Sequence, residues 1–316
     1  MEINLCFNCM KEKKEPGSCP HCGFDPEAYE AEPHHLPLGT ILAGKYLVGR
    51  VLGEGGFGIT YVGWDLNLEL KVAIKEYYPN GFVTRNSTFN RTLTVLTGSR
   101  GEFFQKGLDK FVDEARRLGK FWQLPGIVSV KDYFQENKTG YIVMEFAEGH
   151  TLKEILKKSS QGRLPPERVF AMMRPVMKSL NKVHEAGLIH RDISPDNLMV
   201  ARDGRVKLID FGAARDFLAE GEKSLSVMLK PGYAPEEQYR SRGKQGPWTD
   251  VYGLCATMYR AITGQVPEES LDRVAEDTLR SPSQLGIPIA PWQENALMQG
   301  LAVFQRYRLQ SMEELE

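Results

Sequence analysis

The chain has 316 residues, with 40 basic and 41 acidic side chains and a net charge of −1, so no polyanion-binding surface and no nucleic-acid partner are expected. Its 41% hydrophobic content fits a globular protein with room for two lobes and a small module, and no run approaches the ~20 apolar residues of a membrane span. The amino terminus lacks an apolar signal core and the five cysteines are too clustered for a disulfide scaffold, which makes the cytoplasm the expected compartment.

Residues 1–24 carry two knuckles, Cys6-x-x-Cys9 and Cys19-x-x-Cys22, with turns at Gly17, Pro20 and Gly23. Four thiolates close a tetrahedral metal site, and a peptide this short needs the metal to fold. The spacing resembles a structural zinc ribbon, although thiolate tetrahedra also accept iron. His21 could substitute, but four cysteines already complete the shell. Residues 25–37, acidic and proline-bearing, read as a linker. From residue 38 two strands, Tyr46–Leu52 and Ile59–Val62, flank Gly53-Glu54-Gly55-Gly56-Phe57-Gly58. Glycines there let backbone N–H groups approach phosphate oxygens. A dinucleotide fold uses the same letters but needs a helix directly afterwards, and β-branched Ile59-Thr60 points to a strand.

Val72-Ala73-Ile74-Lys75 is a third strand, ending in a lysine. Residues 76–104 read as an insert with a turn at Tyr77–Gly81 and a short β excursion over Thr88–Thr97, a candidate docking surface for a partner. Apolar residues at helical spacing predict a helix over Leu108–Phe121, carrying Glu114. Ile127–Val130 and Tyr141–Met144 read as the last strands of this sheet, running into Glu145-Phe146-Ala147-Glu148-Gly149. Beyond residue 147 the chain turns helical, with a short helix at Leu152–Leu156 and a long one over Pro165–Ala186.

His190-Arg191-Asp192-Ile193-Ser194-Pro195-Asp196-Asn197 is followed by two short strands split at Asp203-Gly204 and then by Leu208-Ile209-Asp210-Phe211-Gly212. A tight hairpin there returns the chain to its start, so Asp192, Asn197 and Asp210 converge on one volume. One base and two oxygen ligands suit Mg²⁺, which shares its shell with substrate phosphates.

These motifs, in this order, resemble a bacterial-type serine/threonine protein kinase over residues 38–316. The resemblance implies an α+β, bilobal fold with an antiparallel-sheet small lobe (38–146) and a helical large lobe (147–316). It also implies ATP with Mg²⁺, or Mn²⁺, and a protein substrate. Asp192 would orient the substrate hydroxyl and take its proton, while Asn197 and Asp210 would hold the metal. Gly53, Glu54, Gly55, Gly56, Phe57 and Gly58 would cover the phosphates, with Lys75 on them and Glu114 paired to Lys75 ahead of the competitors Glu102 and Asp113. Thr60, Ala73, Met144, Glu145 and Ala147 would surround the adenine. Ala234-Pro235-Glu236 would close the activation segment, Glu236 would pair with Arg308, and Asp250 would bind the catalytic-loop backbone.

Two departures are linked. The family carries lysine two residues after the catalytic aspartate, where this chain has Ser194. It carries threonine five residues before the closing alanine, where this chain has Leu229. The joint change reads as a rewired site. Alternatives are a weak or inactive nucleotide-binding pseudokinase scaffold and a small-molecule phosphotransferase, which would not need Ala234-Pro235-Glu236 or Arg191. Arg191 before Asp192 predicts phosphate reading on the activation segment, whose hydroxyls are Ser224 and Ser226, Ser226 slightly favoured. The competing reading pairs Arg191 with Glu220 or Glu222.

Overall fold

The structure is a computed structural model that describes residues 4–86, 90–211, 229–240 and 242–316. The chain divides into two compact units, Met1–Trp122 with Ser129–Phe146, and Gln123–Val128 with Ala147–Glu316.

The first unit is built on an antiparallel sheet of order β1-β2-β3-β4-β8-β7. Its strands are β1 (Ile41–Leu42), β2 (Tyr46–Gly55), β3 (Gly58–Asp65) and β4 (Leu70–Tyr77). β5 (Val83–Thr84) and β6 (Thr94–Val95) pair as a small separate ribbon inside the insert. Helix α1 (Ser99–Leu118) precedes β7 (Val130–Glu136) and β8 (Thr139–Glu145). Alternation along β3, β4 and β8 sorts the sheet into two faces. Ile59, Tyr61, Ile74, Glu76, Tyr141 and Val143 share the fully buried face, while Thr60, Ala73, Lys75 and Met144 share the other.

α1 packs on the second face. A Cβ at Gly107 would fall 2.0 Å from the Tyr77 hydroxyl, and one at Gly140 would fall 2.8 Å from Leu108. The helix begins nine residues before the predicted Leu108, inside the stretch assigned to the insert. Its first turns are mostly polar and Gly98 offers no side-chain cap, so little in the local pattern marks the start. Buried Phe104, one turn before Leu108, holds those turns down.

The opposite face is covered by the amino-terminal chain. Leu36 is buried and its N–H donates to the Tyr61 hydroxyl at 3.1 Å. Glu76 and Arg85 form a buried ion pair, with Arg85 Nη2 2.7 Å from Glu76 Oε2. Tyr61 and Tyr141 also donate to Glu76, and Arg85 donates to the His34 carbonyl. Tyr29, inside the expected linker, accepts the Val51 N–H at 3.0 Å. That linker therefore lies against the sheet. The cysteine module does too: Arg50 N donates to the Phe7 carbonyl at 2.8 Å, and Gly49 leaves no space, since a Cβ would meet that oxygen at 2.2 Å.

The second unit is mainly helical: α2 (Leu152–Lys158), α3 (Pro166–Glu185), α4 (Glu236–Tyr239), α5 (Pro247–Thr263), α6 (Ser270–Ala275), α7 (Pro291–Gly300) and α8 (Met312–Leu315). A three-stranded sheet joins β9 (His150–Thr151), β10 (Leu198–Val200) and β11 (Val206–Leu208). α2 starts with a capping box, Thr151 accepting from Glu154 N and Glu154 from Thr151 N. α5 is apolar almost all round and correspondingly buried, with a left-handed Gly264 at its end. Cys255 within it is fully enclosed and burial pushes its thiol up to about 12, which makes it an inert packing residue.

Candidate active site

In the second unit, the hairpin β10–β11 does what its sequence requires. Leu198 pairs with Leu208, so the chain entering β10 and the chain leaving β11 run side by side. Ile209 N donates to the Asn197 carbonyl at 2.9 Å, and the Ile209 carbonyl lies 3.0 Å from His190 Nε2. Ile209 is thus gripped on both edges, which fixes Asp210 beside Asn197. Asn197 Nδ2 donates to the Asp192 carbonyl at 2.7 Å and to Asp192 Oδ2 at 2.9 Å. Both of these bonds use the Asn197 amide nitrogen, so its side-chain oxygen is left as an acceptor, the chemistry a hard cation takes.

The loop's backbone is set by Asp250 from α5. Its carboxylate accepts from His190 N, Arg191 N and His184 Nε2, each at 2.7 Å. Burial alone would raise the Asp250 carboxyl, but hydrogen bonds led by His184 hold it below the usual carboxylate range. Burial pushes His190 down, to the neutral imidazole whose Nε2–H donates to Ile209 and whose Nδ1 accepts from Asp192 N at 3.2 Å. Arg191 and Asp210 both adopt left-handed backbone, φ 68° each, a conformation that only over-determining contacts sustain in non-glycine residues.

Two expectations are corrected by one register shift. Arg308 pairs with Glu237, its Nη1 2.7 Å from Oε1, and not with Glu236, which pairs with Arg240. Counted from Glu237, the position expected to hold threonine is Lys230 rather than Leu229. Lys230 Nζ donates to the Ser194 hydroxyl at 2.7 Å and lies 3.6 Å from Asp192 Oδ1. Lys230 was missed by sequence reasoning, as was Gln238, whose amide donates to the Arg191 carbonyl at 3.0 Å. The doubled Glu236-Glu237, with a lysine next to Leu229, was the available signal.

In the first unit, Gly53 to Gly58 form the β2–β3 turn, with Gly55 opposite Gly58. A Cβ at Gly53, Gly55 or Gly56 would meet nothing within 4 Å, so their own fold does not demand glycine; the open space fits phosphate oxygens. Gly58 is different, since a Cβ would lie 2.5 Å from the Glu76 carbonyl. The loop tip is held by Tyr78 N on the Phe57 carbonyl and Asn80 N on the Gly56 carbonyl, 3.0 Å each. Glu54 sits between His34 and His35, 3.0 and 2.9 Å from their Nε2 atoms. Lys75 lies opposite Thr60, and Ala73 opposite Met144. Glu114 is buried on the α1 stripe that faces this same side of the sheet, with Glu102 and Asp113 off it. Glu145 N is bonded to the Ser129 carbonyl at 3.0 Å, and Ala147 opens the second unit.

The four ribbon cysteines gather within 4.8 Å of one another, with Cys6 3.6 Å from Cys22 and Cys9 3.7 Å from Cys19. Tetrahedral Zn–S bonds of about 2.3 Å put sulfurs about 3.8 Å apart, so the cluster fits a single ion. Ser224, Ser226, Glu220, Glu222 and Gly212 lie outside the described residues.

An aspartate held by an asparagine amide, a second aspartate brought in by the same hairpin and a glycine turn repeat the kinase motifs in their order. The protein kinase domain model matches residues 46–293, and the chain belongs to that family. It is 33% identical over 229 residues to the serine/threonine-protein kinase PknL of Mycobacterium tuberculosis, covering 72% of this chain and 51% of PknL. A probable serine/threonine-protein kinase of Streptomyces coelicolor is 31% identical, over 87% of this chain and 39% of its own length. The chain thus spans about half or less of these curated relatives. Among solved structures, PpkA-294 in its apo form aligns with a TM-score of 0.77 and 32% identity, over 89% of this chain and 98% of that one. The kinase domain of M. tuberculosis PknI, 22% identical with a TM-score of 0.64, shares the fold.

Proposed function

We propose that this chain is a serine/threonine protein kinase that transfers the γ-phosphate of ATP to protein hydroxyls, its own among them. The observation that supports this most is the hydrogen-bonded set of Asp192, Asn197 and Ile209, which ties the loop bearing Asp192 and Asn197 to the residue before Asp210. Asp192 orients the substrate hydroxyl and accepts its proton. Asn197 and Asp210 hold Mg²⁺, which supplies charge neutralisation at the phosphate oxygens. The N–H groups of the Gly53–Gly58 turn and Lys75 position the phosphates, and Glu114 holds Lys75. Thr60, Ala73, Met144 and the backbone of Glu145 and Ala147 receive the adenine. Zinc on Cys6, Cys9, Cys19 and Cys22 is structural, because four thiolates leave no position for a reacting water.

Protein partners dock through the ribbon or the 76–104 insert, and the cytoplasm is the working compartment. No described helix is long and apolar enough to cross a membrane. The test is phosphotransfer from labelled ATP to a generic protein substrate, wild type against Asp192→Asn. Turnover that survives Asp192→Asn unchanged refutes the reading.

A further inference from the structure

We propose that Lys230, at the carboxyl end of the activation segment, supplies the positive charge at the reacting phosphoryl group that the catalytic loop lacks. The inference rests on the kinase reading and adds a residue to it. From Asp192 to Asn197 the loop carries two carboxylates, Asp192 and Asp196, and no cation. A phosphoryl group in transfer spreads negative charge over its equatorial oxygens, and a site that offers only carboxylates there would oppose it.

The geometry puts one ammonium at that place. Lys230 Nζ lies 2.7 Å from Ser194 Oγ, 3.6 Å from Asp192 Oδ1 and 3.9 Å from Asp196 Oδ2. Only the first is a hydrogen bond, and its acceptor is neutral. Ser194 is fully buried, so its hydroxyl is a fixed post. The ammonium stands at ion-pair distance from two carboxylates while its one hydrogen bond goes to a hydroxyl, which leaves further N–H donors to offer. Its side chain is about a third exposed (31%), on the cleft lined by Asp192, Lys230, Tyr233 and Gln238.

A lysine that merely fastened the segment would hydrogen-bond one of the two carboxylates. Lys230 stands between them at the longer ion-pair distances, and Asp196 takes its hydrogen bond from Lys153 at 2.8 Å. The backbone under Lys230 is built for this placement. Tyr233 N donates to the Lys230 carbonyl at 3.0 Å, closing a turn through left-handed Gly232 (φ 81°). A Cβ at Gly232 would fall 2.4 Å from the Pro267 carbonyl, so this turn accepts only glycine. Ammonium and hydroxyl are therefore exchanged between the catalytic loop and the activation segment relative to what the family resemblance led one to expect, and the charge reaches the site from the segment.

The experiment compares steady-state phosphotransfer by wild type, Lys230→Met, Lys230→Ala with and without added ethylammonium, and the exchange Ser194→Lys/Lys230→Ser. Loss of one transition-state donor predicts a fall in kcat of about 10²–10³-fold in Lys230→Met, with KM for ATP within about threefold. Ethylammonium should raise kcat of Lys230→Ala and not of wild type. The exchange should recover at least about tenfold over Lys230→Met, a gain that a purely structural lysine would not give. Lys230→Met with near wild-type kcat, a defect confined to KM, or an exchange and an amine that both recover nothing would each overturn the proposal. Inactivity of wild type, or activity unchanged by Asp192→Asn, would instead overturn the kinase reading beneath it.

Discussion

Arg85→Met should destabilise the first unit strongly. Glu76 and Arg85 have side chains with no solvent exposure, and the guanidinium donates to both Glu76 oxygens at 2.5 and 2.7 Å. Burial alone would pull the Arg85 guanidinium down, but Glu76 more than offsets it and holds it above its ordinary value. Removing the arginine strands a buried carboxylate with two tyrosine donors as its remaining support. Breaking a buried pair from one side costs about 3–5 kcal/mol. For a unit of this size that corresponds to a fall of roughly 6–20 °C in Tm. Glu76→Gln/Arg85→Met removes both charges and should be less destabilised than Arg85→Met alone. Urea unfolding followed through both units, with the double-mutant cycle, measures this. A loss below about 1 kcal/mol in Arg85→Met, or strictly additive single costs, would refute the reasoning. Because Glu76 adjoins Lys75 on the same strand, Arg85→Met should also raise KM for ATP.

Metal analysis should find one zinc per chain, and less than half an equivalent of zinc or iron would sink the ribbon assignment; deleting residues 1–33 should leave phosphotransfer measurable. Gly49→Val should cost about 1–3 kcal/mol by overpacking against the Phe7 carbonyl, read as a lower urea midpoint. His190 is held low in the fold, so the unfolded chain binds its proton first as pH falls. Its contribution to stability is full above about 6.5 and is lost below that, with Asp250 following below about 4, where its own lowered carboxyl lies under the unfolded value. Urea midpoints at pH 7.5 and 5.5 test this, and a His190→Asn variant with an undiminished pH slope would speak against it. Mass spectrometry after incubation with Mg²⁺-ATP should find phosphate on Ser226 or Ser224, and unchanged activity in Ser224→Ala/Ser226→Ala would favour Arg191 pairing with an acid instead.

Much of the candidate site's local geometry could be read from the sequence, because its motifs are formed by neighbouring residues. Asp192, Asn197 and Asp210 are joined by one short hairpin whose turn and strand residues announce it. The glycine turn is likewise a matter of adjacent residues. What failed to read was set by distant partners. The choice between Glu236 and Glu237 is made by Arg308, 71 residues on, and two equal carboxylates in a row carry no local mark of it. That same ambiguity hid Lys230 behind Leu229. Residues 25–37 look like a linker because their composition is polar, yet Tyr29, His34 and Leu36 are placed by bonds to Val51, Arg85 and Tyr61. Gly49 gave no sign of its role, since nothing within the strand forbids a side chain there; the prohibition comes from Phe7.

The fastening of the glycine turn bears on the timing of nucleotide exchange. Tyr78 N, Asn80 N and the two histidines on Glu54 all grip the turn from its own side of the molecule. Lifting the turn breaks four hydrogen bonds, each worth about 0.5–1.5 kcal/mol net, or about 2–6 kcal/mol together. Such openings are rarer by a factor of about 30 or more than in a turn without these ties. A turn that is already ordered loses little entropy when phosphate arrives, which favours affinity. If the turn covers ATP as proposed, one that seldom lifts also slows the entry of ATP and the departure of ADP. On the kinase reading, such a turn favours slow exchange and long nucleotide residence.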